Sequence, residues 1–149
     1  MLSKVIDPNG SVVKITYDSA DRLIRKDITR ASGVEGTTFE VYNYDGAHRM
    51  IKAQDDDSVV EMKYDSLGNI TQESQTLSGA PTRNVLSQYD LLGNRTKLTY
   101  PSGKEINFTY DGLYRLKTIS QNLKLIAEYS YIGPGRVKSR RYGLLPRLQ

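Results

Sequence analysis

The sequence predicts an all-β fold in which tandem antiparallel hairpins lie side by side in one curled or spiralling sheet. Three observations predict it. A Tyr-Asp pair recurs at Tyr17-Asp18, Tyr44-Asp45, Tyr64-Asp65, Tyr89-Asp90 and Tyr110-Asp111, with a degenerate sixth copy at Tyr131-Ile132. Apolar and polar residues alternate before these tyrosines, and turn residues follow them. Successive tyrosines stand 27, 20, 25, 21 and 21 residues apart. The two longer intervals hold Ala31-Ser32-Gly33-Val34-Glu35-Gly36 and Leu77-Ser78-Gly79-Ala80-Pro81, both of loop composition. The unit is therefore about 21 residues, with two insertions.

The opening strand of each unit is read backwards from its Tyr in steps of two. Val13 and Ile15 lead to Tyr17, Glu40 and Tyr42 to Tyr44, and Val60 and Met62 to Tyr64. Val85 and Ser87 lead to Tyr89, Ile106 and Phe108 to Tyr110, and Ala127 and Tyr129 to Tyr131. Only Glu40 and Ser87 interrupt the apolar column. The interleaved positions are polar except at Val41 and Leu86. A period of two, repeated six times in register, marks half-buried strands, and no helical stripe competes with it.

The turns come next. In Asp65-Ser66-Leu67-Gly68-Asn69 and Asp90-Leu91-Leu92-Gly93-Asn94 the carboxylate can accept a backbone N–H two residues on. The glycine supplies the positive φ that closes a type I turn with a bulge. Asp21 and His48 fill that slot in the first two copies, and both tolerate left-handed geometry. Tyr114 fills it in the fifth and conflicts with it. An apolar residue returns at Leu23, Met50, Ile70, Leu116 and Val137 to begin the closing strand, with Arg95 as the exception. A one-layer sheet of such hairpins leaves an apolar face in water, so it must curl, gain a second layer, or belong to something larger.

Length and composition set outer bounds. The 149 residues suit a single domain over 1–149, with 38% apolar and 26% charged residues. No window approaches a membrane helix, so no membrane insertion is expected. The eleven Tyr suit strands, and the absence of Cys excludes disulfides and thiolate metal sites. The net charge of +4 gathers partly at Arg136, Lys138, Arg140, Arg141 and Arg147, which reads as a solvated terminal segment. Met1-Leu2-Ser3-Lys4 lacks the apolar run of a signal peptide.

Together these residues resemble the YD repeat of Rhs-type proteins, whose pattern is Tyr-Asp, two variable residues, Gly, Arg or Asn, then Leu. The repeat-defining positions are Tyr17, Asp18, Arg22, Tyr44, Asp45, Arg49, Tyr64, Asp65, Gly68, Tyr89, Asp90, Gly93, Tyr110, Asp111, Arg115, Tyr131, Gly135 and Arg136. Leading glycines stand at Gly10 and Gly103. The resemblance covers about residues 7–143. It implies a structural wall segment of a β-shell that encloses or presents a toxin or other polypeptide, secreted or at the cell surface as part of a larger bacterial protein. About twelve strands are too few to close a large shell, and the family's end-of-core cleavage signature is not found. A fragment or a short relative carrying wall material is thus expected.

The chemistry expected is structural, with no enzyme activity, no cofactor and no metal. His48 is the only histidine and sits in a repeat turn. The recurring Asp residues occupy one structural position, which argues for turn capping over paired-carboxylate catalysis. Asp55-Asp56-Asp57 reads as a hairpin tip, because consecutive strand residues point apart and calcium-loop spacing is missing. Gly133-Pro134-Gly135-Arg136 reads as the sixth turn rather than a phosphate loop. The partners expected are polypeptide cargo or neighbouring YD repeats. Self-association through sheet edges, and glycan binding by an adhesion module using the aromatic face, stay open as alternatives. Nucleic acid is not favoured.

Overall fold

The computed structural model describes residues 3–143, and the fold among them is all-β, without a helix. The strands are β1 (Lys4–Ile6), β2 (Val12–Tyr17), β3 (Leu23–Thr29), β4 (Phe39–Tyr44), β5 (Met50–Gln54) and β6 (Ser58–Tyr64). They continue as β7 (Ile70–Leu77), β8 (Arg83–Tyr89), β9 (Arg95–Thr99), β10 (Glu105–Tyr110), β11 (Leu116–Gln121), β12 (Lys124–Ile132) and β13 (Arg136–Tyr142). All thirteen lie in sequence order in one antiparallel sheet that does not close, with β1 and β13 at its ends. Six hairpins supply twelve strands, as the repeat predicts. The thirteenth is β1, which the turn Asp7-Pro8-Asn9-Gly10 folds back onto β2, with Gly10 donating its N–H to the Asp7 carbonyl at 2.8 Å.

By contacts the chain divides into two compact units. One comprises Met1–Lys63 and Glu73–Arg83, the other Tyr64–Gln72 and Asn84–Gln149. In the first, Ile15 stands opposite Lys26 and Tyr42 opposite Ala53, which stands opposite Val60. In the second, Ser87 is opposite Leu98, Leu98 opposite Ile106, and Phe108 opposite Ile119. The predicted column therefore runs from strand to strand along one face. It is only half-buried. Among the described apolar residues just two fall below a tenth exposed, Ile106 at 8% and Ala127 at 3%.

Each Tyr-Asp turn closes in the same way. The Asp N–H donates to the carbonyl four residues on, at 2.9 to 3.0 Å, and the N–H of the left-handed residue returns to the Asp carbonyl at 2.9 to 3.2 Å. The strand register slips by one residue just before the tyrosine, between Thr16 and Tyr17, Asn43 and Tyr44, Gln88 and Tyr89, and Thr109 and Tyr110. That slip is the bulge of a type I hairpin. The slot is left-handed whatever residue fills it: φ is 61° at Asp21, 63° at His48, 89° at Gly68, 81° at Gly93 and 59° at Tyr114.

The sixth copy departs from the expectation. Gly133, not Gly135, takes the positive φ, at 59°, and Ile132 and Arg136 pair as strand residues around a three-residue loop. The cause is chemical. Ile132 has no carboxylate to accept, and Pro134, two residues on, has no N–H to give. Arg136 thus starts β13 without an acid in the Asp position. The basic end, expected as a solvated segment, is strand β13, exposed along its whole length; Arg147 lies outside the described residues.

A turn with no sequence signal joins β11 to β12. Asn122 (φ 47°) and Leu123 (φ 65°) form a two-residue loop with both residues left-handed. That geometry favours Asn-Gly, and Leu123 is 98% exposed, so no packing offsets its strain. Tyr114 is in the same position, left-handed and 60% exposed. Tyr114→Gly and Leu123→Gly should therefore each stabilise the fold by up to about 1 kcal/mol, reduced by the greater freedom of Gly in the unfolded chain. Gly93→Tyr should cost a similar amount, because Gly93 holds a φ of 81° that a Tyr adopts only under strain. Thermal melts of the three variants read the signs directly; a large loss from Tyr114→Gly would show that the ring packs after all.

Candidate functional site: a clasp between repeats

Each turn carboxylate accepts several hydrogen bonds from its own turn. Asp18 Oδ1 accepts the N–H groups of Ala20 and Arg22 at 2.8 and 3.0 Å. Asp45 does so with Ala47 and Arg49, Asp65 with Leu67 and Asn69, Asp90 with Leu92 and Asn94, and Asp111 with Leu113 and Arg115. The second oxygen takes a side chain. Arg22 grips Asp18 through Nε and Nη2, both at 2.7 Å, Arg49 grips Asp45 at the same distances, and Arg115 grips Asp111 at 2.8 and 2.6 Å. Asn69 and Asn94 replace the guanidinium in the third and fourth turns, each donating Nδ2 at 2.9 Å.

These donors hold the carboxyls ionised. Backbone bonds from Arg22 and Arg49 lead in lowering Asp18 and Asp45, and the side-chain amides of Asn69 and Asn94 lead for Asp65 and Asp90. Asp111 falls furthest, to about 2, chiefly through the hydrogen bonds from the Arg115 side chain. A carboxylate already holding backbone and side-chain donors of its own turn has little left for a substrate or a metal.

The arginines do a second thing. In the first unit the Arg22 guanidinium lies over the ring of Tyr44, 4.8 Å from its centroid, and donates Nη1 to the Asp45 carbonyl at 3.3 Å. Tyr44 in turn donates its hydroxyl to the Leu23 carbonyl at 2.9 Å. In the second unit Arg115 lies 4.3 Å over Tyr131 and donates to the Gly133 carbonyl at 2.5 Å, while the Tyr131 hydroxyl reaches the Leu116 carbonyl at 2.7 Å. The first and fifth repeats thus each grip the aromatic ring of the next. Tyr110 keeps the hydroxyl half of this clasp, donating to the Arg95 carbonyl at 2.8 Å, where Asn94 holds the arginine slot. Nothing in the sequence showed where the tyrosine hydroxyls go; the six-residue offset from one Tyr to the carbonyl that accepts the next was the available clue.

The interruption at Glu40 is answered within the sheet. Lys26 Nζ meets Glu40 Oε2 at 2.7 Å, and the Tyr42 hydroxyl donates to the same oxygen at 2.6 Å. The bond from Lys26 leads in lowering the Glu40 carboxyl and the bond to Glu40 leads in raising Lys26, while desolvation leads in raising the Tyr42 hydroxyl. His48 stands in its turn with Nδ1 3.4 Å from Arg22 Nη1. Asp55-Asp56-Asp57 forms the β5–β6 tip beside a groove of about 440 Å³ shared with the β7–β8 loop. There Asp55 accepts the Asp57 and Ser58 N–H groups, and Asp56 accepts the Thr38 hydroxyl at 2.6 Å. Among the described residues no three acidic, His or Cys side chains gather as a metal site.

Residues 64–105, the third and fourth copies, match the family model for the RHS repeat. The chain carries the RHS repeat over that stretch. The matched stretch holds the two turns that carry glycine in the left-handed slot. Three solved structures share the fold at 15% identity. TcdB2-TccC3-TEV aligns with a TM-score of 0.74 over 94% of this chain and 8% of that one. TcdB2-TccC3 without its hypervariable C-terminal region gives 0.71 over 89% and 8%, and the Photorhabdus luminescens Tc holotoxin pore gives 0.71 over 89% and 7%. The chain therefore spans less than a tenth of those chains. No curated protein matches it in sequence.

Two outcomes follow for these turns and clasps. Tyr131→Phe removes one hydroxyl bond and should cost about 1 kcal/mol in a denaturant titration, with Tyr44→Phe costing a similar amount. Acid should weaken the fold in a defined window. Asp111 ionises at about 2 when folded against 3.8 ordinarily, so the unfolded chain takes up its proton first as pH falls. Its stabilisation is complete above about pH 4 and is lost as pH drops towards 2. A melting temperature flat between pH 5 and 2 would contradict this.

Proposed function

We propose that this chain is a structural wall segment of an Rhs-type shell, one that encloses or presents a toxin or other polypeptide. The observation that carries the reading is the one-sided sheet. Six hairpins align an apolar column on one face, yet almost none of it is fully buried. A sheet of this kind gains its stability when the face is covered. The shared fold with Tc toxin structures supports a wall as the setting, and the clasp suits one, since Arg22 and Arg115 each fix the following repeat without a second layer. In this reading residues 1–149 act as one YD-repeat domain, and the repeat-defining residues serve as turn closures and clasps. The chain works as part of a secreted assembly, without catalysis.

Glycan recognition has less in its favour. The rings of Tyr44 and Tyr131 are already covered by guanidinium groups, and their hydroxyls are already donated. A graft tests the wall reading. Residues 3–143 replace the structurally matching stretch of TcdB2-TccC3, and the C-terminal region of the chimera is challenged with trypsin. Protection equal to that of the parent is expected. An assembled chimera whose interior polypeptide is digested would overturn the reading.

A further inference from the structure

At three of the five junctions between repeats the charges have one direction, whereas β7 carries Glu73 and β8 Arg83, the reverse order. At β3–β4, Lys26 stands opposite Glu40 and the side chains meet at 2.7 Å. At β5–β6, Lys52 stands opposite Glu61. At β9–β10, Lys97 reaches Glu105 at 2.5 Å. In all three the cation lies on the strand that closes a repeat and the carboxylate on the strand that opens the next. At β11–β12, Glu128 again belongs to the opening strand, though it faces Thr118 and has Arg141 of β13 on its other side.

Strand β13 is a closing strand at the end of the sheet order. Its sequence, Arg136-Val137-Lys138-Ser139-Arg140-Arg141-Tyr142, carries four cations and no acid, and every residue is exposed. Counted from its own repeat tyrosine, Arg140 falls where Lys26 falls, nine residues on in both copies. It lies 5.3 Å over the Tyr129 ring and donates to the Tyr142 hydroxyl at 3.3 Å, without a carboxylate partner among its described bonds.

We infer that the outer edge of β13 accepts an acid-bearing opening strand of the β4 type in antiparallel pairing, with a carboxylate at the position of Glu40 opposite Arg140. The inference rests on the wall reading in taking a further repeat as the partner. Main-chain hydrogen bonds supply the attraction at any strand edge, and the charges supply the choice. A second copy is a poor occupant. Pairing β13 with β13 sets cations against cations, and β1 offers three residues, Lys4–Ile6, with a lysine and no acid. The charges that keep copies apart thus select an acidic strand.

The probe is a peptide of residues 37–46, which contains β4, added to the isotopically labelled full chain. Amide shifts and slowed hydrogen exchange are expected along Arg136–Tyr142. Glu40→Lys in the peptide should weaken binding roughly tenfold, and Arg140→Glu in the protein should restore the affinity of that altered peptide. If Arg140→Glu fails to fold, Arg140→Gln should still erase the difference between the two peptides. The inference is overturned if no binding is seen at millimolar peptide, if both peptides bind Arg140 protein equally, or if the shifts fall elsewhere. It is equally overturned if polyglutamate or oligodeoxythymidine binds β13 as tightly, since that marks a general polyanion surface. A positive charge swap alongside a failed graft would keep the edge and remove the enclosing wall.

Discussion

A carboxylate at the end of a strand, with four lone pairs to fill, organises this protein. Satisfying Asp18 or Asp111 draws the backbone of the next four residues into a tight loop and forces the left-handed slot. The loop then places an arginine where its fork can close on the same carboxylate while its flat face covers the ring of the following repeat. One side chain thereby couples turn, strand register and repeat spacing. The sixth copy serves as a natural control: with Ile132 in the acid position the left-handed residue moves to Gly133 and Arg136 begins a strand.

The coupling matters because the core is thin. Even the column residues that face one another across strands stay partly open, and Ile106 and Ala127 are the exceptions. A layer of this kind cannot draw on a deep apolar interior, so main-chain ladders and side-chain clasps carry a larger share of its stability. That also explains how Glu40 and Lys26 are tolerated in the apolar column. They are only partly desolvated, and a 2.7 Å ion pair with a tyrosine hydroxyl satisfies them.

What the sequence made legible is what period and turn chemistry encode. Alternation before each tyrosine placed the strands, and the Asp-to-slot spacing anticipated left-handed geometry at Asp21, His48 and Tyr114. The misses share a cause: the deciding partner was distant or the signal was missing. The sixth copy departs from the motif because Ile132 cannot accept and Pro134 cannot donate, so Gly133 takes the left-handed slot. The Asn122-Leu123 turn carries no glycine, so hairpin geometry overrode local preference there. Strand β1 is three residues long and exists through its pairing with β2. The tyrosine hydroxyls and the junction charges depend on cross-strand register, which a one-dimensional pattern fixes only once the bulges are known.

Strict sequence order in the sheet also decides how the molecule comes apart. Among the described residues every strand is bonded only to its neighbours in chain order, with no crossover between distant strands. Tension applied at an end would load one ladder at a time, and each released hairpin would leave the next as the new edge. Such a layer resists diffuse thermal agitation through many small bonds acting together. Under a directed pull it would yield in steps of one hairpin, at a force set by a single ladder.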